Sequence, residues 1–177
     1  MKKVLLTLAI TSALFCAQAQ QTHPSLEKGK WFVETNLSPF SLNRTTGLSF
    51  ASNDGSTEWS FGGEAGIFAA DKLAVKLGLG VNGTSYDSYG GTETETVLSY
   101  KIGAKYFISN VVPIQIDFGG LNSDGENAVT LGTQIGYAWF IKDNIALEPA
   151  LRYDHGLNDN ASEVKTLSAR IGFSLFF

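Results

Sequence analysis

Nine ionisable residues of this 177-residue chain stand inside otherwise apolar runs, and their spacing limits the chemistry open to them. The acids are Glu34, Glu64, Asp117 and Glu148; the bases are Lys76, Lys101, Lys105, Arg152 and Arg170. Most have apolar or small residues on both sides, so in an extended chain each points to the face opposite its neighbours. An isolated charge on a dehydrated face is costly, and four acids against five bases suit a paired network. The functional alternative for the same residues is a selectivity filter or a proton path. Phe32, Phe68, Phe107, Phe140 and Phe176 share that face near one end of it, as an apolar plug or as a pocket for a hydrophobic ligand. Catalytic signals are weak. His23 and His155 are the two histidines, the glycines alternate within strands and so form no phosphate cradle, and zinc-ligand spacing is absent. The reading therefore assigns no catalytic, cofactor-binding or metal-ligating residue, and no cofactor.

Period-two alternation runs from Lys30 onward and predicts strands rather than helices. Eight segments carry it, at about 29–38, 58–68, 73–82, 96–107, 112–119, 128–140, 145–154 and 165–177. Residues 70–72, 108–111 and 141–144 are tight turns, whereas 39–57, 83–95, 120–127 and 155–164 are longer polar loops, with polar alternation over Thr92–Thr96 extending the fourth strand beyond the membrane. Short turns on one side and long loops on the other, joining an even number of strands, is the pattern of a transmembrane barrel. Both chain ends then fall on the short-turn side.

The composition of the two faces sets their orientation. One face is uncharged and large, with Trp59, Phe61, Leu73, Val75, Leu77, Leu79, Phe118, Ile135, Leu151 and Phe173 among its members. The other carries the nine ionisable groups and nine glycines, Gly62, Gly66, Gly78, Gly80, Gly103, Gly119, Gly132, Gly136 and Gly172. Glycine weakens a solvent-facing strand but suits the crowded inside of a narrow barrel. A soluble barrel would reverse the faces. Trp31, Tyr100, Tyr106, Trp139 and Tyr153 stand near strand ends, where interfacial girdles belong. Pro149 cannot donate to a ladder and predicts a bulge or irregular bond in the seventh strand.

The N-terminus reads as a secretory signal peptide over residues 1–19. It has a basic start at Lys2 and Lys3, an apolar run to Phe15, and small residues at Ala17 and Ala19. Residues 20–28 follow as a polar periplasmic lead-in, and 29–177 form the barrel. Cys16 leaves with the signal, so the expected mature chain has no disulfide. Without Lys2 and Lys3, eleven basic residues face 17 acids, a net charge of −6 that excludes a nucleic-acid partner.

The chain ends Arg170-Ile171-Gly172-Phe173-Ser174-Leu175-Phe176-Phe177. This resembles the C-terminal signal recognised by the outer-membrane barrel assembly machinery, with Arg170, Gly172, Leu175 and Phe177 at its defining positions. Together with the eight alternating segments, it makes the chain similar to the small OmpA-type and OmpX-type outer-membrane barrel domains. Leu147-Glu148-Pro149-Ala150-Leu151-Arg152-Tyr153 also resembles barrels of the Bacteroidetes lineage. The resemblance implies an all-β, eight-stranded, antiparallel up-and-down transmembrane β-barrel in an outer membrane. It also implies lipid and lipopolysaccharide surroundings, the assembly machinery as a transient partner, and a monomer. Tyr153 to Asn158 is similar in outline to the His-x-Ser segment of outer-membrane lipid A deacylases, but Leu157 occupies the serine position. The expected role is non-enzymatic, in envelope structure and surface presentation. Two alternatives stand beside it: a narrow pore or carrier for small hydrophobic molecules, and an adhesin acting through the acidic loops.

Overall fold

The computed structural model describes residues 22–37, 46–53, 55–88, 91–123 and 125–177; the expected signal peptide lies outside them. The alternating segments form ten strands: β1 (Trp31–Leu37), β2 (Ser49–Asn53), β3 (Ser56–Ala70), β4 (Leu73–Ser88), β5 (Gly91–Ile108), β6 (Val112–Ser123), β7 (Glu126–Gly136), β8 (Trp139–Lys142), β9 (Ile145–Gly156) and β10 (Lys165–Phe176). All ladders between strands are antiparallel, and each stave pairs with the next in sequence. β1 pairs with β10 on one side, Phe32 opposite Phe176, and with β3 on the other, Glu34 opposite Glu64. That double pairing closes the sheet. β7 and β8 are two pieces of one stave, and β2 continues the first stave outward along β3, so the barrel has eight staves.

The interruption between β7 and β8 has a chemical cause. Tyr137 lies opposite Pro149, whose carbonyl accepts from the Tyr137 N–H at 3.0 Å but whose nitrogen has no hydrogen to return. Ala138 turns its N–H to the Val111 carbonyl at 2.7 Å instead. β9 itself keeps an unbroken register with β10 through Pro149↔Ile171. The irregularity expected at Pro149 thus falls on the neighbouring stave.

Two of the expected long loops are strand for most of their length. β4 and β5 pair out to Ser88↔Gly91, and β6 and β7 pair out to Ser123↔Glu126. Alternation of threonine with glutamate over 92–96 fits a ribbon wet on both faces, because the β-branched residues favour extended backbone on either side. Gly125, at φ +89°, turns the second hairpin in the left-handed region that glycine enters freely.

The uncharged face points outward. Leu77, Leu79, Ile102, Phe118, Ile135 and Leu151 are exposed around the middle of the barrel, Leu79 to 66 %. The ionisable face points in. No helix among the described residues is long and apolar enough to cross a membrane; the strands supply the apolar belt instead.

Candidate functional site

The lumen is built in layers, starting with the aromatic side chains at the short-turn end. Phe32, Phe68, Phe107 and Phe176 are buried there, and Phe140 packs against them half-buried. Their rings meet at tilted or offset angles, with centroids 5.6 Å apart for Phe32–Phe68, Phe32–Phe176 and Phe140–Phe176 and 6.1 Å for Phe68–Phe107, favourable aromatic geometries. Gly66 is required beneath them, since a Cβ would stand 2.6 Å from the Phe32 ring.

The lead-in completes this layer. A 3₁₀ turn over Pro24–Leu26 carries the Leu26 side chain into the phenylalanine cluster, where it is fully buried. Hydrogen bonds tie the segment and the residue that follows it to the rim of the barrel. The Lys72 N–H donates to Leu26 O (2.8 Å), the Gly29 N–H to Phe68 O (2.9 Å), and the Lys28 N–H to Asp71 Oδ1 (2.9 Å). The Ser25 hydroxyl donates to the Asp143 carbonyl. His23 stacks on Phe140 at 4.0 Å, and burial against that ring lowers its pKa, with Asp143 opposing the shift. Sequence reasoning read this segment as a polar lead-in and missed Leu26 as a plug residue. Its signal was one apolar residue in a polar stretch.

Above the rings lies the charge layer. Lys105 bridges Glu34 and Glu148, each at 2.6 Å, and its ammonium also stands over Phe32 and Phe107, 5.5 and 5.3 Å from the ring centroids. Lys76 pairs with Glu64 (2.6 Å) and Glu34 (3.3 Å), and Lys101 with Glu64 (2.8 Å). Arg152 grips Asp117 with both terminal nitrogens, at 2.7 and 2.6 Å, the bidentate fork that guanidinium offers a carboxylate. Gln115 joins the two halves, accepting from Lys76 at 2.8 Å and donating to Asp117 at 2.5 Å. Ser174 donates to Glu148 (2.8 Å), and Thr46 reaches in from the first loop to donate to Glu64 (2.7 Å). Gly132 makes room for the Arg152 fork, because a Cβ there would collide with the guanidinium and with Asp117.

All nine ionisable residues singled out from the sequence meet in this one network. A tenth belongs to it and was overlooked. Asp154 accepts from Arg152 at 2.6 Å and pairs with Arg170 at 3.6 Å. It shares the parity of Glu148 and Arg152 on β9, so continuing the alternation by one step would have included it. With Asp154 counted, five acids face five bases, and the layer is electrically neutral.

Of the C-terminal motif, Arg170 and Gly172 face the lumen, while Leu175 and Phe177 lie on the outer side. Phe177 stacks on Trp31 at 4.4 Å, and their backbones exchange hydrogen bonds of 2.8 and 3.3 Å across the closing seam. His155 and Leu157 are exposed. Among the described residues no group of histidine, cysteine, aspartate or glutamate is arranged to hold a metal ion.

No family model matches the chain, and no curated protein sequence matches it. Solved structures do. The N-terminal β-barrel domain of Pseudomonas aeruginosa OprF aligns with 85 % of this chain and 98 % of its own length, at 14 % identity and a TM-score of 0.51. The outer membrane proteins Ail of Yersinia pestis (85 % of this chain and 100 % of that one, 13 % identity, TM-score 0.47) and OprG of P. aeruginosa (85 % and 97 %, 12 % identity, TM-score 0.46) also align. At these identities the likeness concerns architecture alone. The chain has the closed, eight-stranded antiparallel fold of the small outer-membrane β-barrels.

Proposed function

We propose that the protein is a non-enzymatic integral outer-membrane barrel with a sealed lumen, serving envelope structure and the presentation of its outer hairpins. One observation carries this reading: ten buried charges, linked into a neutral network, stand over a phenylalanine cluster that the lead-in covers. A conducting pore needs a continuous wet path, whereas these charges are cross-linked by ion pairs and the rings below are apolar. The exposed apolar belt supports lipid as its surroundings, with lipopolysaccharide in the outer leaflet. The outer ribbon carries Glu93 and Glu95, both exposed, and the hairpin formed by β6 and β7 carries exposed Glu126. In this reading the assembly machinery recognises the C-terminal motif, and the folded barrel is a monomer. The test is conductance. The purified full-length barrel, reconstituted in planar bilayers, is expected to pass no steady current. Large, reproducible single-channel steps would replace this reading with that of a pore.

A further inference from the structure

Above the charge layer, on the loop side, the lumen contains a cavity of about 110 Å³ lined in part by Thr46, Ser99, Lys101, Arg152, Asp154 and Arg170. A water needs roughly 10–15 Å³ of such space, so the cavity takes several waters or one small polyatomic ion. Its ionisable lining is three cations to one carboxylate. Two of those cations are well matched elsewhere. Arg152 is forked onto Asp117 and also holds Asp154 through Nε (3.0 Å) and Nη2 (2.6 Å), and Lys101 pairs with Glu64 at 2.8 Å. Arg170 is different. Its carboxylate partner, Asp154, is 3.6 Å away and already engaged by Arg152, and its buried Nε has no hydrogen-bond partner among the described residues. Two positions earlier on β10, facing the same way, the buried Ser168 hydroxyl is likewise unpartnered.

A guanidinium carries five N–H donors in a planar fork, and leaving them unmet inside a protein is costly. The neutrality of the layer as a whole does not satisfy this end of it, because the fifth carboxylate is shared between two arginines. We propose that the outer lumen cavity is a binding site for a small oxyanion, a carboxylate or a phosphate-like ion, held by Arg170 with Lys101 beside it. Guanidinium geometry favours two-oxygen acceptors over a spherical halide. The cavity lies on the less sealed side of the network: Lys101 and Asp154 each retain 8 % exposure, against 0–1 % for Lys76, Lys105 and Asp117. An ion would therefore arrive from the loop side, and the phenylalanine layer would still close the far end.

The experiment is a titration of the intact, isotope-labelled barrel in detergent or nanodiscs, following the arginine Nε–H resonances by NMR. Sodium phosphate and sodium acetate are the probes, with sodium chloride at matched ionic strength as the reference. A saturable shift of the Arg170 resonance with phosphate, acetate or both, and not with chloride, is the expected result. Which of the two saturates at lower concentration tells a phosphate site from a carboxylate site. Arg170→Lys keeps the charge but loses the fork, and is expected to weaken the fitted affinity at least tenfold. Linear or absent shifts with both oxyanions, or the same response to chloride, would overturn the proposal and leave a cavity filled by water. The wild-type titration decides the matter even where the Arg170→Lys barrel does not fold. Because it reads binding and not current, it stands or falls independently of the conductance test.

Discussion

Burying ionised side chains is tolerable only where each charge meets its opposite, and removing one partner leaves the other stranded. Asp154 holds two arginines, so its loss unbalances the layer where compensation is thinnest. Asp154→Asn is expected to destabilise the barrel by about 3–5 kcal/mol, the range for breaking a buried pair. Glu126→Gln, at an exposed hairpin position, should stay within about 0.5 kcal/mol. Urea unfolding in lipid bilayers measures both, and equal midpoints for the two variants would remove Asp154 from the network. His23 gives the lead-in a different sensitivity. Its folded pKa lies below the ordinary value near 6.5 because burial against Phe140 disfavours the charged ring. The undocked segment therefore binds more protons than the docked one in the window below about pH 6.5. Docking is at full strength above that value and weakens as pH falls through the lowered folded pKa. Amide exchange at Leu26 and Gly29, whose N–H groups donate to His23 O and Phe68 O, should speed up relative to strand amides between pH 7.5 and pH 5.5. His23→Phe should abolish that change; equal relative protection at both pH values in the parent would show that the stacked ring does not control docking.

The strands were legible in the sequence because side-chain direction in a strand has period two, and within each strand one parity is uncharged across the apolar belt. Leu77 and Leu79 on β4 alternate with Lys76 and Gly78, so exposure and burial follow directly from position. An arginine at Leu77 would face the acyl chains near mid-membrane and should destabilise by roughly 2–4 kcal/mol. Leu77→Arg unfolding at the parent's midpoint in bilayers would mean that this face does not contact lipid. What could not be read lies outside the periodic segments. Leu26 and Thr46 enter the lumen from a lead-in and a loop, and nothing in the spacing of their neighbours assigns them a direction. The polar alternation over 92–96 did signal the outward continuation of β5. Strand ends were misjudged where the ladder continued above the apolar belt without a regular pattern, as at the outer ends of β4, β6 and β7. Asp154 was passed over at such an end. The last strand joins both kinds of information. Phe177 closes the seam against Trp31, and the motif it ends resembles an assembly signal. Phe177→Ala keeps the backbone bonds and should lower the folded yield in cells while leaving export intact. Refolding of the same variant into detergent should proceed nearly as for the parent, since no machinery acts there. An unchanged folded yield in cells would deny the motif its role.

As a whole, the molecule inverts the usual arrangement of a small protein, with its apolar surface outside and its polar network inside. The lumen holds two unlike barriers in series. Below the outer cavity the charge layer resists water flow because ion pairs link its side chains across the lumen, and the ring layer resists ions because it offers them nothing. Lys105 couples the two, salt-bridged upward to Glu34 and Glu148 while its ammonium rests over Phe32 and Phe107. The lead-in strengthens only the lower barrier, through Leu26. Barriers in series imply that breaching one is not enough to open a channel. Replacing Leu26 with alanine should cost about 2–5 kcal/mol, the range for emptying a fully buried leucine site, and should loosen the short-turn end. Deleting residues 22–28 should go further and expose the phenylalanine rings at the short-turn end. Yet the charge layer stays linked from Lys105 to Arg170 in both variants, because none of its members belongs to the deleted segment. The lead-in-deleted barrel, once shown to be folded by its resistance to unfolding in detergent, is therefore expected to pass no steady current in planar bilayers. Stable current steps from that barrel, set against a silent parent, would make the lead-in the gate of the lumen and reduce the charge network to scaffolding.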